Sequence, residues 1–190
     1  MGLSKCICGN EMDRMPNIAF RAMGFAFKVR DLFYPFEKRV DTFGIGEGYT
    51  VIDYGCGTGS YLNYVSSLVG EEGLVYAVDI HELAVDSVKK RAARYKLENV
   101  IPVLADGYSC DIEDQSADLI YAMDMFHMVK KPGPFLKELH RLLKEDGVLI
   151  IDDGHQRRNE AREKILNSNL WSIVEETKDH MKCEKIQIEQ

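Results

Sequence analysis

The chain has 190 residues, enough for one domain with a sizeable core and too few for two. Hydrophobic residues make up 45% and charged residues 29%, the balance of a soluble globular protein. Twenty-four basic against 31 acidic residues leave a net charge of −7, which disfavours nucleic acid as a partner and favours a small or neutral substrate.

In chain order, "MPNIAFRAMGFAFKVRDLFYPFEKRV" predicts one or two helices broken at Pro35, with Phe20, Met23 and Phe27 on one stripe. "GIGEG" is loop, and strands then alternate with helices. "TVIDY" is a strand and "GSYLNYVSSLVG" a helix closed by Gly70. "LVYAVDI" and "HELAVDSVKKRAARY" repeat the pattern. "VIPVLAD" and "ADLIYAMD" are the third and fourth strands. "GPFLKELHRLLKEDG" is a helix with Gly147 at its C-terminal side, and "VLIIDD" is the fifth strand. "RRNEAREKILNS" is a further helix, and "LWSIVEETKDHMKCEKIQIEQ" reads as two strands joined at "KDH", an antiparallel hairpin.

Alternating strands and helices predict an α/β fold: a Rossmann-like, seven-stranded, mostly parallel sheet with helices on both faces. Right-handed crossovers put every parallel strand's carboxyl end on one edge, where ligands bind. Asp53, Asp79, Asp106, Asp124, Asp152 and Asp153 each stand where an apolar run stops, so that edge should be acidic. No apolar run is long enough to cross a bilayer, and no signal-peptide pattern opens the chain. A cytoplasmic protein without membrane insertion is expected. Five cysteines at scattered spacings (Cys6, Cys8, Cys56, Cys110, Cys183) point to reduced thiols. Cys6 and Cys8 are too few to close a zinc site, although Cys110 or Cys183 could add a third soft ligand for a metal or metalloid.

Gly55, Gly57 and Gly59 join the first strand to the helix that follows. Glycine permits positive φ and lets a ligand approach the backbone. The dinucleotide spacing G-x-G-x-x-G would need a sixth-position glycine where Ser60 stands. Asp53, just ahead of the loop, would repel a phosphate and attract a cation. These features, with "VYAVDI" and "LAD" behind them, resemble the class I S-adenosylmethionine-dependent methyltransferases. The resemblance runs over residues 45–190, and its nearest subgroup is the small-molecule enzymes akin to those of ubiquinone and menaquinone biosynthesis.

That resemblance implies a site. Asp79 would bind both ribose hydroxyls, Asp106 with Gly107 would sit near the adenine, and Asp53, Gly55, Cys56, Gly57, Gly59, Ile80 and Asp124 would complete the cofactor shell. Residues 1–44 would form a helical lid, with residues 45–190 as the S-adenosylmethionine-binding domain. The lid segment's aromatic residues, among them Phe20, Phe25, Phe33 and Tyr34, would make the acceptor pocket apolar, or pack the helix, or form a homodimer contact. Methyl transfer from a sulfonium needs alignment more than a fixed catalytic residue. His127 is the first candidate base and His155 the second, if the small-molecule acceptor must lose a proton. Two alternatives stay open within the fold. One is a non-catalytic binder or sensor. The other is a metal-dependent, catechol-type enzyme using Asp124, Asp152 and Asp153, although no metal is assigned. A nicotinamide-dependent oxidoreductase is disfavoured by Ser60.

Overall fold

The computed structural model describes residues 14–33 and 36–186, without the side chains of residues 27, 28 and 31–33. Cys6, Cys8, Tyr34 and Pro35, and the side chains of Phe27 and Phe33, therefore lie outside the description.

Helix α1 (Asn17–Phe33) and a short α2 (Glu37–Val40) precede the sheet. The alternating part runs β1 (Thr50–Tyr54), α3 (Leu62–Val69), β2 (Leu74–Asp79), α4 (Glu82–Tyr95), β3 (Val100–Leu104) and β4 (Ala117–Ala122). It continues through α5 (Pro132–Leu142), β5 (Leu143–Ile151) and α6 (Arg158–Leu166). Strands β6 (Trp171–Glu176) and β7 (Met181–Lys185) follow as the expected hairpin.

The seven strands lie in the order β3-β2-β1-β4-β5-β7-β6. Every pairing is parallel except those of β7, which runs against both β5 and β6. The sheet is covered on both faces, which is why its central strands are apolar without a break. Val51, Leu119, Tyr121 and Ile150 face one core with Leu62 and Val65 of α3. Ile52, Ile120, Leu149 and Ile151 face the other, with Phe135, Leu136 and Leu139 of α5. The chain order reverses between β1 and β4, so the crevice beyond their carboxyl ends is the topological switch point.

One element departs from the expected pattern. The helix of "GPFLKELHRLLKEDG" stops at Leu142, and Leu143 already pairs with Ala117 as the first residue of β5. The register then shifts before Leu119 meets Val148. Gly147 lies in this irregular stretch because a Cβ there would stand 2.7 Å from the Leu143 side chain and 3.1 Å from the Asp118 carbonyl. Leu143 is fully buried, and a continued helix would have forfeited that burial.

Candidate functional site

The carboxyl ends of β1, β2 and β4 open onto a cleft of about 990 Å³, part of it open to solvent. The glycine turn forms its floor. Gly55 and Cys56 donate their N–H groups to the Val78 carbonyl at 2.8 and 3.0 Å, tying the turn to β2. The three glycines are bare for different reasons. A Cβ on Gly55 would meet Met125 at 2.8 Å, and one on Gly59 would meet Leu62 at 2.7 Å. Around Gly57, at φ 52°, the Cβ position is open on the cleft side of the turn. Of the three, Gly57 is the one whose missing side chain leaves room for something else.

Asp79 ends β2 and organises the turn. Its Oδ2 accepts from the Gly57 N–H at 2.9 Å, and its Oδ1 from the His81 N–H at 2.8 Å. Burial pushes its carboxyl up to about 6, and those backbone donors restrain the rise. Two hydrogen bonds leave a carboxylate with further lone pairs, enough to accept from a diol. His81 caps α4 by accepting from the Leu83 N–H on Nδ1 at 3.1 Å, which puts its proton on Nε2. Its ring packs 4.3 Å from that of Phe20, so α1 rests against the start of α4 at the cleft. The Met15 carbonyl lies near enough to His81 to raise its basicity, but Nε2 is buried outside hydrogen-bond geometry. Burial outweighs that neighbour, and with the nearby Arg14 it lowers the imidazole's pKa.

Asp53 is 2% exposed and lines the same cleft. Burial first, and then the nearby Asp79 carboxyl, push it up to about 8. The Tyr121 hydroxyl draws it partly back, yet the two groups miss hydrogen-bond geometry. Asp53 Oδ2 and Tyr121 Oη are both buried without a partner. A buried carboxyl with an orphaned oxygen is costly unless a donor or cation completes it. The cleft therefore presents an uncompensated carboxyl at β1 and spare acceptor capacity at β2. A Cβ-free face at Gly57 lies between the two.

The acids at the ends of β4 and β5 behave differently. Asp124 pairs with Arg30 at 2.7 Å and Arg39 at 3.7 Å, and accepts from the Tyr61 hydroxyl at 3.4 Å. Its backbone is left-handed at φ 58°, a costly conformation that aspartate tolerates better than most residues. The turn is held because its N–H donates to both oxygens of Asp152 at 2.9 and 3.0 Å. Asp152 also binds Arg39 at 2.8 Å, and Asp153 pairs with Arg158 at 2.7 Å. Guanidinium groups thus supply the charge that a metal-dependent reading gives to a divalent ion. Among the described residues, no three His, Cys, Asp or Glu side chains gather in ligating geometry.

The sequence-derived candidates separate accordingly. Asp53, Gly55, Cys56, Gly57, Asp79, Ile80, Gly107 and Asp124 line the cleft, and Gly59 and Asp106 do not. Asp106 is exposed, with its backbone paired to Ser109. His127 lies in a 3₁₀ turn against Gly154, where a Cβ would collide with its Nδ1, and 4.8 Å from the ring of His155. That packing turns it to the loop after β5, and it is not among the lining residues. Cys183 is fully buried in the core and Cys110 half-buried, and burial pushes both thiols up to about 12. Sequence reasoning missed Arg30, Tyr61, His81 and Tyr108, which also line the cleft. Tyr61 and His81 had a local signal, since each directly follows a motif, whereas Arg30 is placed by partners far along the chain.

Comparison with known proteins agrees with this geometry. The sequence profile of a family described as a methyltransferase domain matches residues 45–189. The chain is 30% identical over 134 residues to a ribosomal protein L11 methyltransferase of Anoxybacillus flavithermus, covering 70% of this chain and 40% of that protein. It is 29% identical over 117 residues to a demethylmenaquinone methyltransferase of Staphylococcus epidermidis, covering 62% of this chain and 48% of that protein. The chain thus spans less than half the length of these two relatives. Among solved structures, a SAM-dependent methyltransferase from Aquifex aeolicus superimposes with a TM-score of 0.70 at 28% identity, covering 82% of this chain and 94% of that one.

Proposed function

This chain belongs to the methyltransferase-domain family, and on that premise we propose that it transfers a methyl group from S-adenosylmethionine to a small, largely apolar acceptor. The observation that carries the reading is the orphaned, buried Oδ2 of Asp53, set in one cleft with Asp79 and the open face of Gly57. S-adenosylmethionine supplies a positively charged donor whose methyl group leaves a neutral thioether. Everything else is the protein's part. Asp79 accepts from the ribose hydroxyls while its backbone donors keep it in place. Asp53 faces the cationic end, and Gly57 lets that end approach the chain.

Alignment and exclusion of water are the catalytic contributions expected of such a site. The lining beyond the turn supports both, because Met23, Met123, Met125, Met128, Val129 and Phe135 give it a mostly apolar wall. Methionine's flexible thioether adapts to irregular ligands. The lid proposed for residues 1–44 is supported by its described residues. Met15, Phe20 and Met23 reach the cleft, and Arg30 reaches Asp124. An apolar wall suits the aromatic or isoprenoid type of acceptor that the demethylmenaquinone relative's name suggests better than a ribosomal protein. Turnover of labelled S-adenosylmethionine on a panel of phenols, quinols and amines tests the reading. Binding of S-adenosylmethionine without turnover on any acceptor would favour a sensor instead.

A further inference from the structure

Helix α1 is apolar on both faces. Phe20, Met23 and Gly24 turn inward to the cleft and the glycine turn. On the opposite side Ile18, Ala22, Phe25, Ala26 and Val29 form an i, i+4, i+7, i+8, i+11 stripe that is exposed throughout. Ile18 is 65% exposed, Phe25 71% and Val29 43%, on a 17-residue helix about 25 Å long. A stripe of this kind at one edge of a soluble fold marks an interaction surface.

Charge says what covers it. Residues 1–40 carry seven basic and four acidic side chains, of which Arg14, Arg30 and Arg39 pair with acids of the body, whereas the remaining 150 carry 17 basic and 27 acidic. The exposed Arg21 flanks the stripe. A second copy fits poorly. Five apolar side chains fall far short of the roughly 20–30 residues a side of a stable protein interface. A symmetric contact would also set one basic segment on another. An anionic lipid surface fits both features: apolar side chains enter the acyl boundary, basic groups meet the headgroups, and the acidic body is turned away. No described helix is long and apolar enough to cross a membrane, so the contact is lateral.

We infer that α1 lays its Ile18–Phe25–Val29 face on an anionic bilayer surface, with the cleft directly beneath the docked helix. This goes beyond the methyl-transfer reading, and it gives an apolar acceptor a path into the cleft from the lipid. Co-sedimentation of the full chain with phosphatidylcholine vesicles, with and without phosphatidylglycerol, tests it. Binding is expected at least tenfold tighter to the anionic vesicles and weakened by salt. Arg21→Glu should lower it roughly thirtyfold by reversing one charge, and Phe25→Asp by tenfold or more. Both positions are exposed, and unchanged binding of S-adenosylhomocysteine by calorimetry shows that the variants are folded. Failure of the wild type to bind that ligand would defeat the methyl-transfer reading and leave the vesicle result standing. Three outcomes overturn the inference. One is no vesicle binding by a monomeric wild type, and another is binding insensitive to Phe25→Asp. The third is a dimer in sedimentation equilibrium that Phe25→Asp dissociates while vesicles go unbound.

Discussion

Acids stand at both ends of the same sheet edge, and they do opposite work. At β1 and β2, Asp53 and Asp79 are buried, their carboxyls pushed up to about 8 and about 6, and Asp53 has an oxygen without a partner. At β4 and β5, Asp124 and Asp152 are matched by Arg30 and Arg39, which come from the segment ahead of the sheet. The second pair is completed by the protein's own chain, whereas the first keeps an unmatched oxygen that the proposed function gives to a ligand. One residue type at one kind of position therefore separates into recognition and architecture, and the available cations decide which.

That division predicts effects of different size and kind. Asp152→Ala should be the most damaging to stability, because it removes Arg39's nearest carboxylate and frees the strained Asp124 turn. Since Arg39 keeps a quarter of its side-chain exposure, the loss should be about 2–3 kcal/mol in a denaturant titration. Affinity for S-adenosylhomocysteine should change little. Asp79→Ala should lower affinity as well as stability. Calorimetry should show binding weakened by about 1–3 kcal/mol, since the diol loses its acceptor and the Gly57 and His81 N–H groups lose theirs. Equal effects of both variants on affinity would erase the distinction between the two halves.

Asp53 gives a pH signature. Its folded pKa lies above the ordinary value, so the folded state holds a proton that the unfolded state has released. Stability of the free protein is therefore lost as pH rises from the ordinary 3.8 towards about 8. Asp53→Asn should flatten the fall in Tm across that window. Binding of the sulfonium should restore the charge and release a proton near neutral pH, detectable by calorimetry in buffers of different ionisation enthalpy. Buffer-independent heats would contradict a cationic centre beside Asp53. The smallest effect is expected of Arg30→Ala. Its pair with Asp124 is about a third exposed on each side, so stability should fall by under about 1 kcal/mol. Limited proteolysis within residues 17–33 should nevertheless become faster if that pair holds the lid.

Much of this was legible in the sequence, for reasons particular residues make clear. Val51-Ile52 and Val148 to Ile151 announce themselves because strands covered on both faces need no polar alternation. The glycine turn and Asp79 are readable because their spacing is local. The end of α5 was not. "HRLLKEDG" has helical spacing, and only the pairing of Leu143 with Ala117 makes Leu143 the start of a strand. The arginine partners were out of reach because they lie 94 and 113 residues from Asp124 and Asp152. His127 was placed correctly after β4, but the direction of its ring is set by a 3₁₀ turn and by Gly154, which no local pattern encodes. The bareness of Gly55 likewise answers to the distant Met125, whereas that of Gly59 answers to nearby Leu62, and only Gly57 leaves the space a ligand needs.

The central claim is that the methyl donor is held at the β1–β2 end while the β4–β5 acids keep the lid. Hydrogen exchange of the full chain with and without saturating S-adenosylhomocysteine tests it directly. New protection of the backbone amides is expected over residues 53–61 and 79–83, with residues 152–158 unchanged. Protection confined to residues 152–158, or none at a ligand concentration that saturates calorimetry, would contradict it.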